Sequence, residues 1–159
     1  MAILPTGAGK SLIVGELAGQ CVAVGKRVMV LTHRKELLKQ DREKLTAMHP
    51  GVKSGYYSAG LGEKNATADV VFAGVQSACR NPYDFGKIDL VLIDEAHLVS
   101  KKDDGQYAKT LQALRVSNPR LRKVGLTATG YRLDSGIIYG PGQPFSEICH
   151  ETSIREMLD

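Results

Sequence analysis

The chain carries 159 residues, 43% of them hydrophobic and 24% charged, with a formal net charge of +4. That length supports one domain with a real core, and the composition is that of an ordinary soluble globule. No apolar run reaches the ~18 residues of a membrane span and no basic-then-apolar leader opens the chain, so neither membrane association nor secretion is expected.

The chain opens on an apolar stub, residues 1–4, that runs straight into residues 4–11, Leu-Pro-Thr-Gly-Ala-Gly-Lys-Ser. Gly7 and Gly9 lack a Cβ, so the backbone there can take positive φ and turn its N–H groups toward an anion. Lys10 offers a point charge for the β and γ phosphates of a nucleotide, and the Ser11 hydroxyl suits Mg²⁺. A helix beginning near Gly9 adds its positive N-terminal end. Pro5, Thr6, Gly7, Ala8, Gly9, Lys10 and Ser11 together are the expected phosphate loop. The strict G-x-x-x-x-G-K-[ST] pattern has glycine where this chain has Leu4, so a glycine-rich surface turn is the competing reading of the stretch taken alone. A buried strand should feed such a loop, and the stub is so short that the chain is expected to start inside or just before its own first strand.

Helical spacing covers residues 11–24, with Gly25 as the stop. Residues 27–32 read as a buried parallel strand. Residues 34–48 form a second helix with Leu37, Leu38, Leu45 and Met48 on one side, while Lys35, Glu36, Lys39, Asp41, Arg42, Glu43 and Lys44 read mostly as a solvated face. His49-Pro50-Gly51 ends it, and residues 51–68 are turn-rich around a short strand at Tyr56 and Tyr57. Residues 69–74 make the next core strand, followed by a short helix from Val75 to the break at Asn81-Pro82. Residues 89–93 are the strongest strand and deliver Asp94 at its end. A helix over 106–116 and a strand over 121–126, ending in Thr127-Ala128-Thr129, complete the alternation. From Gly130 to Pro144 glycines and prolines mark a long surface loop. Residues 145–150 are expected to form a last strand, and Ser153 to Glu156 a capping-box helix start.

Strands alternating with helices imply βαβ units: an α/β fold with a mostly parallel sheet and helices on both faces. Ligands bind such sheets beyond the carboxyl ends of the strands. Residues 7–11, 32–34, 74–77, 94–97 and 127–129 all fall there, which points to one active face. An Asp-Glu pair at a strand end suits metal-assisted phosphoryl transfer to water, with Asp94 on Mg²⁺ opposite Ser11 and Glu95 activating the water. An exposed acidic strand end is the plainer alternative. His97 lacks a partner at metal-ligand spacing and reads as a hydrogen-bonded histidine beside the site. Thr127 and Thr129 are placed to hydrogen-bond the 94–97 turn. Cys21, Cys79 and Cys149 are odd in number and widely spaced, which argues against a zinc or disulfide framework and for a reducing, cytoplasmic setting. The positive charge leans toward polyanionic partners.

In order, residues 4–11, 30–40, 71–77, 91–97 and 126–129 resemble the motifs of the first RecA-like domain of superfamily 2 DEAD/DEAH-box helicases. Residues 57–61, 72–77 and 126–134 look most like bacterial and phage repair helicases of the RadD type. The resemblance implies ATP and Mg²⁺ at Lys10, Ser11, Asp94 and Glu95. It implies that His97, Thr127 and Thr129 couple nucleotide state to nucleic acid, and that Thr32, Arg34, Gly74 and Gln76 lie in segments touching the sugar-phosphate backbone of DNA, with RNA the other candidate polymer. It implies a cytoplasmic, nucleoid-associated protein of a bacterium or phage.

On the same resemblance, residues 1–135 form the ATP-binding domain, shortened at its start, and 136–159 a surface loop and the beginning of a connection to a second RecA-like domain. That domain's arginine finger and the adenine-reading Gln motif are not in this sequence, and Gly130 stands where the family usually has proline. A non-catalytic remnant that binds nucleotide or nucleic acid is therefore the rival reading. A P-loop kinase is disfavoured, because Asp94 and Glu95 suit water activation and no acceptor lid is evident.

Overall fold

The computed structural model describes residues 1–5, 7–99, 105–132 and 136–152; Thr6 of the expected loop and the expected helix start at Ser153 lie outside them. Val28–Thr32 (β2) is buried along its whole length, with Val28 and Val30 facing one helical layer and Met29 and Leu31 the other. A strand covered on both faces must be apolar at successive positions, which is how this stretch reads.

Chain order runs β1 (Ala2–Ile3), α1 (Lys10–Ala23), β2, α2 (Lys35–Met48), β3 (Ser54–Ser58), β4 (Glu63–Lys64), β5 (Val70–Gly74), α3 (Val75–Arg80), β6 (Leu90–Asp94), α4 (Gln106–Ser117) and β7 (Arg122–Thr127). A hairpin of β8 (Tyr131–Arg132) and β9 (Gly136–Ile137) follows, then β10 (His150–Glu151). The main sheet is ordered β10-β1-β7-β6-β2-β5-β3-β4, and only the β3–β4 pair is antiparallel. Helices α1 and α2 cover one face through Val14, Ala18, Leu38 and Leu45; α3 and α4 cover the other through Val75, Ala78, Leu111 and Leu114. Among the described residues no helix is long and apolar enough to cross a membrane.

Small residues let α1 and α2 approach closely. A Cβ on Gly15 would lie 3.1 Å from the Leu45 amide nitrogen, and one on Gly19 2.2 Å from the His49 ring. That close crossing corrects the expected face of α2. Its buried stripe is Leu38, Asp41 and Leu45, whereas Met48 is exposed, so Asp41 does not belong to the solvated face.

The stretch after Gly130 also departs from a plain surface loop. Ile138 and Phe145 are core residues, and the Phe145 ring occupies the space that a Cβ on Gly125 would need. The residue β7 leaves bare is thus filled from a segment whose glycines and prolines mark only its turns. The last strand covers His150–Glu151 alone, paired to β1. Gly130 packs where a Cβ would meet Ile3 Cδ1 at 2.8 Å, which accounts for a residue without a side chain at that position.

Arg27 ties the start of β2 to the loops before β5 and β6. Its guanidinium donates to the carbonyls of Ala66 and Phe85 at 2.7 Å, Ala68 at 3.0 Å and Lys87 at 3.2 Å. Arg27→Met keeps the aliphatic stem and strands those acceptors, and is expected to lower unfolding free energy by about 3 kcal/mol. A urea titration with unchanged midpoint would contradict this.

Candidate nucleotide site and adjoining groove

β1 ends directly below the loop, where the Leu4 amide donates to the Thr127 carbonyl at 2.8 Å. Gly7 (φ 87°) and Gly9 (φ 75°) both take the left-handed region that favours glycine. Gly9 caps α1 without a side-chain hydrogen bond, and the first turn of α1 holds no acidic residue. The uncapped N–H groups and positive end of α1 are therefore left for an anion. The Lys10 ammonium donates to the carbonyls of Leu4 and Pro5, both at 3.2 Å, which holds it over the loop.

Strand order decides what meets this loop. β7 lies between β1 and β6, with Ile3 in register with Thr127 and Leu126 in register with Asp94. Thr127 thus falls between the phosphate loop and the acidic strand end. Asp94 is buried and its Oδ1 accepts from the Glu95 amide at 2.9 Å. Burial raises the Asp94 carboxyl above the ordinary carboxylate range, against the opposing pull of the Glu95 amide, Lys10 and His97.

Glu95 stands at φ 57°, ψ 48°, a left-handed conformation taken by no other non-glycine residue among those described. His97 Nδ1 lies 3.0 Å from Thr127 Oγ1 and 3.3 Å from Glu95 Oε2. The Thr127 hydroxyl already donates to the Thr129 carbonyl at 2.9 Å and accepts from the Thr129 amide at 3.2 Å. Its remaining lone pair accepts from His97, which places the proton on Nδ1 and leaves that N–H shared with Glu95. Glu95, His97, Thr127 and Thr129 are one network, with Thr127 at its centre.

Asp41 is the residue that pattern reading missed. It is fully buried, and neither carboxylate oxygen makes a hydrogen bond of ordinary geometry. Burial, with the Asp94 charge adding to it, pushes its carboxyl up to about 7, while the nearby Ser11 hydroxyl pulls the other way. Ser11 is itself buried. A hydroxyl beside two crowded carboxylates, one of them orphaned, is a hard-oxygen donor set that fits a divalent cation such as Mg²⁺.

Beyond the ends of β2, β3 and β5 lies a groove of about 370 Å³ lined by Arg34, Gly74 and Gln76, together with Ser58, Gly60 and Arg80. Ser58 and Gly60 come from the turn-rich stretch whose only hint was its resemblance to repair helicases. Arg34, Lys35 and Arg80 give the groove wall a positive excess over its one carboxylate, Glu36. Thr32 takes no part in the lining, in contrast to its expected place among the polymer contacts. It is fully buried, and its hydroxyl accepts from the Arg34 amide at 3.4 Å.

A mostly parallel sheet with a glycine-rich, lysine-bearing loop after β1, an acidic turn after β6 and a threonine-ended strand between them is a RecA-like α/β domain, the fold that solved helicase cores share. The chain belongs to the family described as type III restriction enzyme, res subunit, whose model matches residues 1–132. A protein of Saccharomyces cerevisiae named as an ATP-dependent helicase, IRC3, is 28% identical over 98% of this chain and 23% of its own length. The UvsW helicase of bacteriophage T4 superposes with a TM-score of 0.66 at 21% identity, over 82% of this chain and 46% of that one. The Sulfolobus solfataricus SWI2/SNF2 ATPase core, solved with double-stranded DNA, superposes at 0.60 with 17% identity, over 80% and 27%. This chain spans less than half the length of each.

Proposed function

We propose that this domain binds ATP with Mg²⁺ in the Pro5–Ser11 loop and hydrolyses it, coupled to sequence-independent binding of nucleic acid, DNA in the first instance, in the Arg34–Gln76 groove. The observation that carries this reading is the position of Thr127. It lies between the loop and the acidic turn, and its hydroxyl network reaches both Glu95 and His97. IRC3 is named as ATP-dependent, and the Sulfolobus core was solved on DNA, which supports the same pairing of ligands.

Lys10 and the free N–H groups of α1 hold the phosphates, and Ser11 and Asp94 hold the cation. A cation held there would supply positive charge to offset that of the phosphates during transfer. Glu95 orients a water and takes its proton, and His97 with Thr127 keeps the Glu95 carboxylate in place. Arg34 and Gln76 contact phosphates or sugars, which carry no sequence information. A DNA-repair role of the RadD type and a cytoplasmic location are narrower parts of the same proposal.

Lys10→Ala is expected to abolish nucleotide binding, measured with a fluorescent ATP analogue and Mg²⁺; equal affinity in both proteins would sink the site assignment. Turnover is to be measured with and without single-stranded DNA, for this chain and for the chain extended by a second RecA-like domain. Hydrolysis only in the longer protein means that the second domain completes the site. Binding without hydrolysis in either leaves a nucleotide-binding module. With about three cationic phosphate contacts, DNA affinity is expected to fall about 20-fold between 50 and 200 mM salt. A flat salt response or a strong preference for one sequence would contradict the groove assignment.

A further inference from the structure

We propose that Tyr107 is a positioning residue that links the groove to Glu95, through its ring contact with His33 at one end and its hydroxyl at the other. The proposal rests on the functional reading above.

Tyr107 is the second residue of α4 and is 4% exposed. Its ring meets the His33 ring edge-to-face, with centroids 5.1 Å apart and planes at 83°. His33 directly follows β2, lines the groove beside Arg34 and is exposed there. The same core cluster joins Tyr107 to Ile93 and Ala96, which flank the Asp94–Glu95 pair. Tyr107 thus touches the groove wall through His33 and belongs to the core cluster that reaches the acidic turn.

The hydroxyl is the unexplained part. It is buried and, among the described residues, has no hydrogen-bond partner, although buried tyrosine hydroxyls almost always find one. Among the described residues, the charged groups that act on it are Asp94 and Glu95. Burial first, and then these two carboxylates, hold the phenol well above its ordinary pKa, so it is a donor throughout the physiological range. A donor without an acceptor beside two acceptors has a partner within reach once either side shifts.

The side that shifts is Tyr107, toward a fixed Glu95. The left-handed Glu95 backbone is held from outside, by the Asp94 carboxylate on its amide and by His97 on its side chain. A polymer phosphate or base entering the groove presses on His33, and the edge-to-face contact passes that displacement to the Tyr107 ring. The hydroxyl then donates to the Glu95 carboxylate, which is gripped from two sides: His97 with Thr127, and Tyr107. The two routes are independent, because they run through different strand ends.

The test is a coupling measurement that does not need hydrolysis. The affinity for a fluorescent, non-hydrolysable ATP analogue with Mg²⁺ is measured with and without saturating oligodeoxythymidine, and the ratio is the coupling factor. Wild type is expected to give a factor of about five or more. Tyr107→Phe, which removes only the hydroxyl, is expected to bring the factor near one, with unchanged melting temperature and unchanged nucleotide affinity in the absence of DNA. His33→Ala should do the same, and the double variant should add nothing. A merely structural Tyr107 would shift the melting temperature and leave the factor alone. A factor in Tyr107→Phe equal to wild type overturns the proposal while leaving the nucleotide site intact, as does a wild-type factor of one. Failure of the wild-type chain to bind the analogue overturns the functional reading and this proposal with it.

Discussion

Glu95→Gly is expected to yield a protein that melts higher than wild type and has lost hydrolysis. The backbone reason is local. Glu95 occupies φ 57°, ψ 48°, where a Cβ crowds the following carbonyl and a non-glycine residue costs roughly 1–2 kcal/mol. Glycine removes that strain, offset in part by its greater freedom in the unfolded chain and by loss of the 3.3 Å contact with His97. A net gain of about 1 kcal/mol corresponds to about 2–4 °C in melting temperature for a domain of this size. The chemical reason is separate. Without the carboxylate no general base stands at the water, and turnover should fall about 10²- to 10⁴-fold in whichever chain length turns over.

Glu95→Gln keeps the strain and loses the base, so it should match wild type in stability and Glu95→Gly in activity. Nucleotide affinity should stay within a few-fold in both, since the proposed function assigns the phosphates to the loop and Lys10. A Glu95→Gly protein less stable than wild type would mean that the His97 contact outweighs the backbone strain.

Asp41→Asn is expected to stabilise the nucleotide-free domain at pH 8 and to destabilise it modestly at pH 4. Burial pushes the Asp41 carboxyl up to about 7 in the folded state from an ordinary 3.8. Between those values the folded protein binds a proton that the unfolded chain has released, so stability falls as pH rises through the window. Above pH 7 the whole penalty stands, about 4 kcal/mol for a shift of this size. The Asn amide leaves its own donors short of partners, which returns roughly 1–2 kcal/mol of that. The expected net gain is about 2 kcal/mol at pH 8, read as a higher urea midpoint in EDTA, and it turns into a loss of roughly 1–2 kcal/mol as pH approaches the ordinary carboxylate range. Equal gains at both pH values would show that the folded protein binds no extra proton at Asp41, its carboxyl lying in the ordinary range. The substitution also takes an anionic oxygen away from Ser11 and Asp94, so the stabilised variant is expected to need more Mg²⁺ to bind nucleotide.

What could be read from residue order was what short-range chemistry decides. Gly7 and Gly9 turn the chain at positive φ and α1 starts at Lys10, because glycine spacing and a helix start are local properties. The bounds of α1, α2, β2, β5 and β6 follow, within a residue or two, from apolar period and from breakers such as Asn81-Pro82. The placement of five chemical stretches at strand ends needed only the alternation of strand and helix. The tertiary structure decided everything that depends on which elements touch. The position of β7 between β1 and β6 sets Thr127 against the Asp94 turn, and no local pattern encodes strand order. Asp41 lies on a helix whose charges look solvated, and Gly15 and Gly19, far away in sequence, bring α1 close enough to bury it. Ile138 and Phe145 sit in a glycine- and proline-rich stretch, yet they fill the space above Gly125. His33, just after β2, meets Tyr107 on α4, far away in sequence. Local sequence sets a residue's conformation and chemistry. Its burial, and so the strength of its charge and its partners, comes from long-range packing that only the folded chain brings about.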